Sequence, residues 1–156
     1  MREGDIAPHV ELADQSGTVR SLSAIAAGRR IVLFFYPAAM TPGCTKESCH
    51  FRDLGTEFEA VGAVRVGISM DTVDKQARFA DANSLDYPLL SDADGAVARA
   101  FGVKRPLNIL KVRRVTFVLD EERRVLGVVG SEFNTDAHAD RALKILAATP
   151  RRPASA

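Results

Sequence analysis

The sequence predicts an α/β protein, a three-layer sandwich with a central mixed β-sheet and an N-terminal hairpin. Three observations predict it. Apolar, β-branched segments alternate with amphipathic segments that carry helix start and stop signals. One segment, Ile31-Val32-Leu33-Phe34-Phe35, is apolar at every position, which is the pattern of a strand covered on both faces. Near the end of the chain, two strand-like segments joined by a polar turn precede a last helix, adding antiparallel strands to a parallel core.

Val10 to Ala13 and Thr18 to Leu22 flank Asp14-Gln15-Ser16-Gly17, a turn composition that predicts a hairpin. Ser23 to Ala27 forms a helical turn ending at Gly28, and Ile31 to Phe35 is the central strand, stopped by Tyr36-Pro37. The spacing of Phe51, Leu54, Phe58 and Val61 predicts one helix from Pro42 to about Val61 with a single buried face. Val64 to Ser69 is a second strand. Asp71 or Thr72 caps a helix reaching about Ser84, and Tyr87 to Leu90 is a short extended segment. Asp94 to Phe101 is helical and closed by Gly102. Arg114 to Leu119 and Val125 to Gly130 are strands around the turn Asp120-Glu121-Glu122-Arg123. Asp136 to Ala148 is the last helix, with Ala139, Ala142, Leu143 and Leu146 facing inward.

The 156 residues predict one domain over 1–148, followed by a short flexible tail over 149–156 that contains proline and charge. Lys plus Arg number 21 against 20 Asp plus Glu, a near-neutral balance that gives no basis for nucleic acid or a membrane surface as partner. Basic pairs such as Arg29-Arg30 and Arg123-Arg124 are expected on the solvated surface. Met1-Arg2-Glu3-Gly4-Asp5 has no apolar signal core behind it, and the longest apolar run is far too short to span a bilayer, so a soluble, cytoplasmic protein is expected. In that compartment the two cysteines are expected to be reactive or inert rather than a structural disulfide.

The chemistry concentrates in the loop after the central strand, Tyr36-Pro37-Ala38-Ala39-Met40-Thr41-Pro42-Gly43-Cys44-Thr45-Lys46-Glu47-Ser48-Cys49. This is where open α/β sheets place their sites. Cys44 falls in the first turn of the predicted helix, where unpaired N–H groups and the positive dipole end favour a thiolate. An ordinary thiol, with pKa near 8.5, is only about 3% ionised at neutral pH. Moving such a group to about 6 takes roughly 3.4 kcal/mol, and a helix end supplies at most about 2. Further donors are therefore required. Thr41 lies three residues earlier, within reach across the turn, and an arginine from elsewhere in the chain is the natural source of the remaining charge.

The string Tyr36-Pro37-x-x-x-Thr41-Pro42-Gly43-Cys44-Thr45-x-Glu47-x-Cys49-x-Phe51-Arg52-Asp53 resembles the peroxiredoxins, in the bacterioferritin-comigratory-protein (PrxQ) branch. The resemblance extends over almost the whole chain, through Gly4-Asp5-x-Ala7-Pro8, Gly67-Ile68-Ser69, Leu89-Leu90-Ser91-Asp92, Phe101-Gly102-Val103 and Arg114-x-Thr116-Phe117-Val118-Leu119-Asp120. It implies a thioredoxin-like fold and a thiol peroxidase that reduces hydrogen peroxide and organic hydroperoxides. It further implies recycling by a thioredoxin- or glutaredoxin-type dithiol, no cofactor or metal, and a monomer, with a dimer as the alternative. By the same resemblance Cys44 is the attacking cysteine, Thr41 its hydroxyl donor, Pro37 the residue shielding the sulfur, and Cys49 the resolving cysteine. Arg114 matches the active-site arginine. Its neighbour Arg113 is the alternative, and alternation along a strand sends the two to opposite faces.

Other chemistries fit less well. Zinc needs three or four ligands, and Cys44, Cys49 and His50 have awkward spacing for that. A thioredoxin-type oxidoreductase uses Cys-x-x-Cys, not this spacing. His9 and His138 are expected at the surface or along a helix with no catalytic part. Glu47 is either a first-turn acid favoured by the helix dipole or a member of the active-site polar network. The contrasting function class is a non-catalytic redox sensor or holdase on the same fold, which oxidises once and does not turn over. Finally, residues five apart on an intact helix rise about 7.5 Å and turn about 140°, placing their Cα atoms roughly 8.6 Å apart. That is beyond the usual disulfide range, so a Cys44–Cys49 bridge requires the helix to unwind. The pocket width is expected to depend on the loop from Lys104 to Lys111.

Overall fold

The structure, a computed structural model, describes residues 1–106 and 112–151. Strands β1 (Glu11–Ala13) and β2 (Val19–Ser21) pair antiparallel as the N-terminal hairpin. Asp14 organises its turn by accepting from the Ser16 N–H at 2.8 Å. Helix α1 (Leu22–Ala26) follows, capped by Ser21. The main sheet contains β3 (Arg30–Phe35), β4 (Ala63–Ser69), β5 (Leu89–Ser91), β6 (Val115–Leu119) and β7 (Val125–Gly130), in the order β5-β4-β3-β6-β7. β3 runs parallel to β4 and antiparallel to β6, so the sheet is mixed, with the apolar segment at its centre.

All of β3 is buried, and its pleat divides the core in two. Ile31, Leu33 and Phe35 pack with Phe101, Phe117 and the α1 residues Leu22 and Ile25. Val32 and Phe34 face the opposite layer, made by α2 (Pro42–Asp53), α3 (Gly55–Ala60), α4 (Val73–Asn83) and α6 (Asp136–Ala148). Phe34 stacks on Phe51 with ring centroids 4.1 Å apart, which fixes α2 across the end of the central strand. The short α5 (Ala96–Ala100) closes the first layer.

The expected single helix from Pro42 to Val61 is two helices that meet at Leu54. The cause lies on a neighbouring strand. Arg65 Nη1 donates to the Phe51 carbonyl at 2.9 Å, engaging the oxygen that a continuous helix would offer to Gly55. A Cβ on Gly55 would stand 3.0 Å from that guanidinium, so glycine leaves the room the arginine occupies. The expected helix from Asp94 starts later, at Ala96, because Gly95 is left-handed and the buried Asp92 accepts from the Val97 and Ala98 N–H groups.

Arg30 departs from the surface expectation. It is 2% exposed. Its guanidinium donates to the carbonyls of Val61, Leu146 and Thr149 at 2.5, 3.1 and 2.8 Å. It thereby satisfies carbonyls at the ends of α3 and α6. Of the expected tail, Thr149 bonds back to Ile145 and Arg151 to Ala60, while residues 152–156 lie outside the described residues. No helix among the described residues is long and apolar enough to cross a membrane.

Candidate active site

The site forms where β3 ends. The loop that follows is tied from beneath by α4 and its approach. The Tyr36 hydroxyl donates to Gln76 Oε1 at 2.5 Å, and Asp71 Oδ2 accepts from the Ala39 N–H at 2.7 Å. Of the two candidate caps for α4, Thr72 takes that role, leaving Asp71 for the loop. Thr41 stands in extended backbone at the N-cap of α2 and Pro42 is the first helical residue. Thr41 makes no side-chain cap; its hydroxyl donates instead to the Ala38 carbonyl at 2.7 Å. The N–H groups of Gly43 and Cys44 are therefore among the unpaired donors of the helix start. Cys44 itself is fully buried.

Arg114, at the entry to β6, converges on the same point. Its Nη2 lies 3.4 Å from Cys44 Sγ and its Nη1 donates to Glu47 Oε1 at 3.0 Å. Arg113 is exposed and donates to the Gly102 carbonyl. Burial works against the charge on Arg114, but Glu47 and Cys44 outweigh it and hold its pKa above the ordinary arginine value. Gly43 gives the guanidinium its place, since a Cβ there would stand 3.2 Å from Nη2. Glu47 is completely buried, which pushes its carboxyl up to about 8 against the opposing pull of Arg114. Of its two readings, the structure places Glu47 in the active-site polar network.

Of the two places expected for His138, the structure gives the helix and not the surface: it is fully buried in the first turn of α6. Its Nδ1 is 2.8 Å from Thr116 Oγ1, its Nε2 is 2.7 Å from the Ser131 carbonyl, and Nε2 is 3.6 Å from Glu47 Oε2. Burial lowers its pKa, so the neutral ring is favoured. The signal was present: His138, Ala142 and Leu146 fall on one helical stripe, and the other two are core residues.

Cys44 opens to a cavity of about 500 Å³ lined by Pro37, Ala38, Thr41, Gly43, Arg105, Arg114, Glu132 and Phe133. Glu132 accepts from Arg105 at 2.8 Å and from the Arg114 backbone N–H at 3.1 Å. Phe133 is 98% exposed at the mouth. No local motif marks Arg105, Glu132 or Phe133. The loop expected to set the pocket width is described only in part, because 107–111 lie outside the described residues.

Cys49 lies farther along α2 and is half-buried, its Sγ 3.7 Å from Asn83 Oδ1. Both thiols are free and the helix between them is unbroken. Long-range hydrogen bonds fasten this stretch, among them Tyr87 hydroxyl to the Ser48 carbonyl, Arg52 to the Asn83 carbonyl, and His50 with Asp140. Among the described residues no group of three or more His, Cys, Asp or Glu is arranged to hold a metal.

The model of the AhpC/TSA family matches residues 4–128. A Mycobacterium tuberculosis protein described as a peroxiredoxin is 59% identical over 150 residues, covering 95% of this chain and 97% of the relative. The crystal structure of peroxidoxin BcpB from the same organism superposes with a TM-score of 0.92 at 58% identity, over 96% of this chain and 99% of that one. Peroxiredoxin Q of Xanthomonas campestris gives 0.82 at 36% identity, over 89% and 90%. The chain is a peroxiredoxin of the PrxQ branch. As a peroxiredoxin it is a thiol-dependent peroxidase, with a peroxide as substrate and a thiol as reductant, and its sheet and hairpin are those of the thioredoxin-like peroxiredoxin fold.

Proposed function

We propose that this peroxiredoxin reduces hydrogen peroxide and organic hydroperoxides through a Cys44 sulfenic acid, resolved by Cys49 as an intramolecular disulfide and recycled by a thioredoxin-type dithiol. The observation that carries this reading is the Arg114 guanidinium held 3.4 Å from Cys44 Sγ at the base of a cavity. The thiolate attacks one peroxide oxygen in line with the O–O bond. As that bond breaks, charge passes from sulfur to the departing oxygen, so donors must stand where the oxygens will be. Arg114 and the N–H groups of Gly43 and Cys44 supply them. The Thr41 hydroxyl adds another once it leaves the Ala38 carbonyl to which it donates in the structure. Pro37 walls the sulfur from water, and the apolar surface of Pro37, Ala38 and Phe133 accommodates the alkyl part of an organic hydroperoxide.

The sulfenic acid condenses with the Cys49 thiol, losing water and forming the disulfide. An external dithiol then attacks the bridge, with a glutaredoxin-type reductant as the alternative to thioredoxin. Repeated turnover in the cytoplasm serves antioxidant defence and thiol balance. The test is peroxide consumption by catalytic amounts of protein with thioredoxin, thioredoxin reductase and NADPH, repeated with the glutaredoxin system. Sustained turnover supports the reading. One oxidation per chain without turnover in either system would make the protein a redox sensor.

A further inference from the structure

Glu47 and His138 are buried titratable groups with no part in the steps above. Together with Cys44 and Arg114 they form a continuous polar cluster: Cys44 Sγ to Arg114 Nη2 at 3.4 Å, Arg114 Nη1 to Glu47 Oε1 at 3.0 Å, and Glu47 Oε2 to His138 Nε2 at 3.6 Å. Every member is at least nine-tenths buried. One cation therefore faces two groups that can each be an anion.

Burying net charge costs several kcal/mol per ion unless it is paired. A thiolate with ionised Glu47 leaves the cluster with a surplus negative charge, and a neutral sulfur with neutral Glu47 leaves a surplus positive one. Only the two mixed states are balanced. The Glu47 geometry fits the one that joins a Cys44 thiolate to a neutral Glu47 carboxyl. Oε1 accepts from Arg114, which the carbonyl oxygen of a neutral carboxyl can also do, though less strongly than a carboxylate. Oε2 is buried with no hydrogen-bond partner among the described residues. An ionised oxygen without a donor is far costlier there than a neutral hydroxyl. The donor facing it, His138 Nε2, is directed to the Ser131 carbonyl at 2.7 Å and stands 3.6 Å from Oε2, beyond hydrogen-bond length. The remaining groups around the cluster do not upset this balance. Glu132 is matched by Arg105 at 2.8 Å, Tyr87 is a buried neutral phenol with its pKa raised by burial, and Arg141 faces His138 from the exposed side of α6.

We propose that Cys44 and Glu47 share a single negative charge across Arg114: Glu47 holds a proton while Cys44 is a thiolate and gives it up when the sulfur is oxidised, with His138 Nε2–H positioned to receive the new carboxylate. The inference rests on Cys44 being the attacking cysteine. In the oxidation step the S–O bond forms, the O–O bond breaks, and two electrons pass from sulfur to oxygen. The departing oxygen takes one proton from solvent in the cavity and Glu47 returns one. Thiolate, hydroperoxide and carboxylic acid thus become sulfenic acid, alcohol (or water) and carboxylate. Glu47 and His138 are positioning residues in this scheme, since neither touches the peroxide.

The test counts protons. Cys49→Ser protein, which stops at the sulfenic acid, is mixed with one equivalent of hydrogen peroxide in weakly buffered solution at neutral pH, with an indicator dye. Dimedone labelling of Cys44 measures the oxidation itself. The expected result is about zero net protons taken up per Cys44 oxidised with Glu47 present, and about one with Glu47→Gln added. Equal counts in the two proteins overturn the proposal. Absence of Cys44 labelling would instead overturn the assignment of the attacking cysteine. If Glu47→Gln does not fold, the infrared difference between reduced and oxidised Cys49→Ser protein decides alone. Loss of a protonated-carboxyl C=O band on oxidation supports the shared charge, and an unchanged carboxyl region refutes it.

Discussion

The Tyr87 hydroxyl donates to the Ser48 carbonyl at 2.6 Å, pinning from outside the helix that carries both cysteines. Ser48 immediately precedes Cys49, so in the proposed mechanism this bond breaks when the first turns of α2 unwind to let the two sulfurs meet. Replacing Tyr87 by Phe removes the bond and keeps the ring beneath Arg65, whose guanidinium lies 5.0 Å from its centre. A net hydrogen bond is worth about 1 kcal/mol, or roughly fivefold in an equilibrium constant. The expected outcome is disulfide formation about fivefold faster after peroxide addition, with faster amide exchange over residues 42–53 in the reduced protein. An unchanged rate would place the opening motion elsewhere.

Cys44→Ser should abolish peroxidase activity. Cys49→Ser should still consume about one equivalent of peroxide per chain, the stoichiometry of a sulfenic acid without a resolving thiol. Mass spectrometry after dimedone treatment should find the label on Cys44. Turnover retained in Cys44→Ser, with label on Cys49, would reverse the roles.

Arg114→Ala should slow the reaction with peroxide on the order of 10²-fold, the cost of losing one donor to a developing oxyanion. Arg113→Ala should change it little, since that side chain points out of the site to the Gly102 carbonyl. Rapid-mixing kinetics of the reduced proteins compares the two. Similar losses would mean the guanidinium near Cys44 is not the catalytic donor.

The stability of the reduced protein should carry the mark of Glu47. Its pKa is raised by burial from 4.5 to about 8. The folded state therefore retains a proton that the unfolded chain has already lost, and stability falls as pH rises between those values. Glu47→Gln cannot lose that proton. Urea unfolding across this window should show the variant gaining on the parent as pH rises. His138 acts in the opposite sense, because its depressed pKa removes stability as pH falls below the ordinary histidine value. A constant gap between parent and Glu47→Gln would contradict the burial argument.

Local pattern carried most of the architecture. The apolar run 31–35 announced a central strand, and the Pro-x-x-x-Thr-x-x-Cys spacing marked the loop beyond it. What escaped was decided by partners distant in sequence. Glu47 could not be assigned until Arg114 was seen beside it. The helical stripe of His138 points inward, but nothing in the sequence near it names Glu47 and Thr116 as its neighbours. The break at Leu54 depends on Arg65, which belongs to a later strand, and Arg105, Glu132 and Phe133 join the cavity only through tertiary packing. Charged residues were the recurrent difficulty: hydrophobic periodicity locates apolar faces, but a buried arginine is placed by the carbonyls that receive it.

Arg30 shows what such placement means for a chain made from one end. Two of its acceptors, the carbonyls of Leu146 and Thr149, are 116 and 119 residues farther along. While the ribosome is still producing the strands, the guanidinium beginning β3 has only the Val61 carbonyl of its three acceptors, and the face of the sheet that carries Val32 and Phe34 is only partly covered. Arrival of α6 covers that face and, in the same movement, brings His138 behind Glu47. The last helix thus completes the fold and the buried polar cluster together, so a chain stalled before it would hold Cys44 and Arg114 with no histidine behind Glu47.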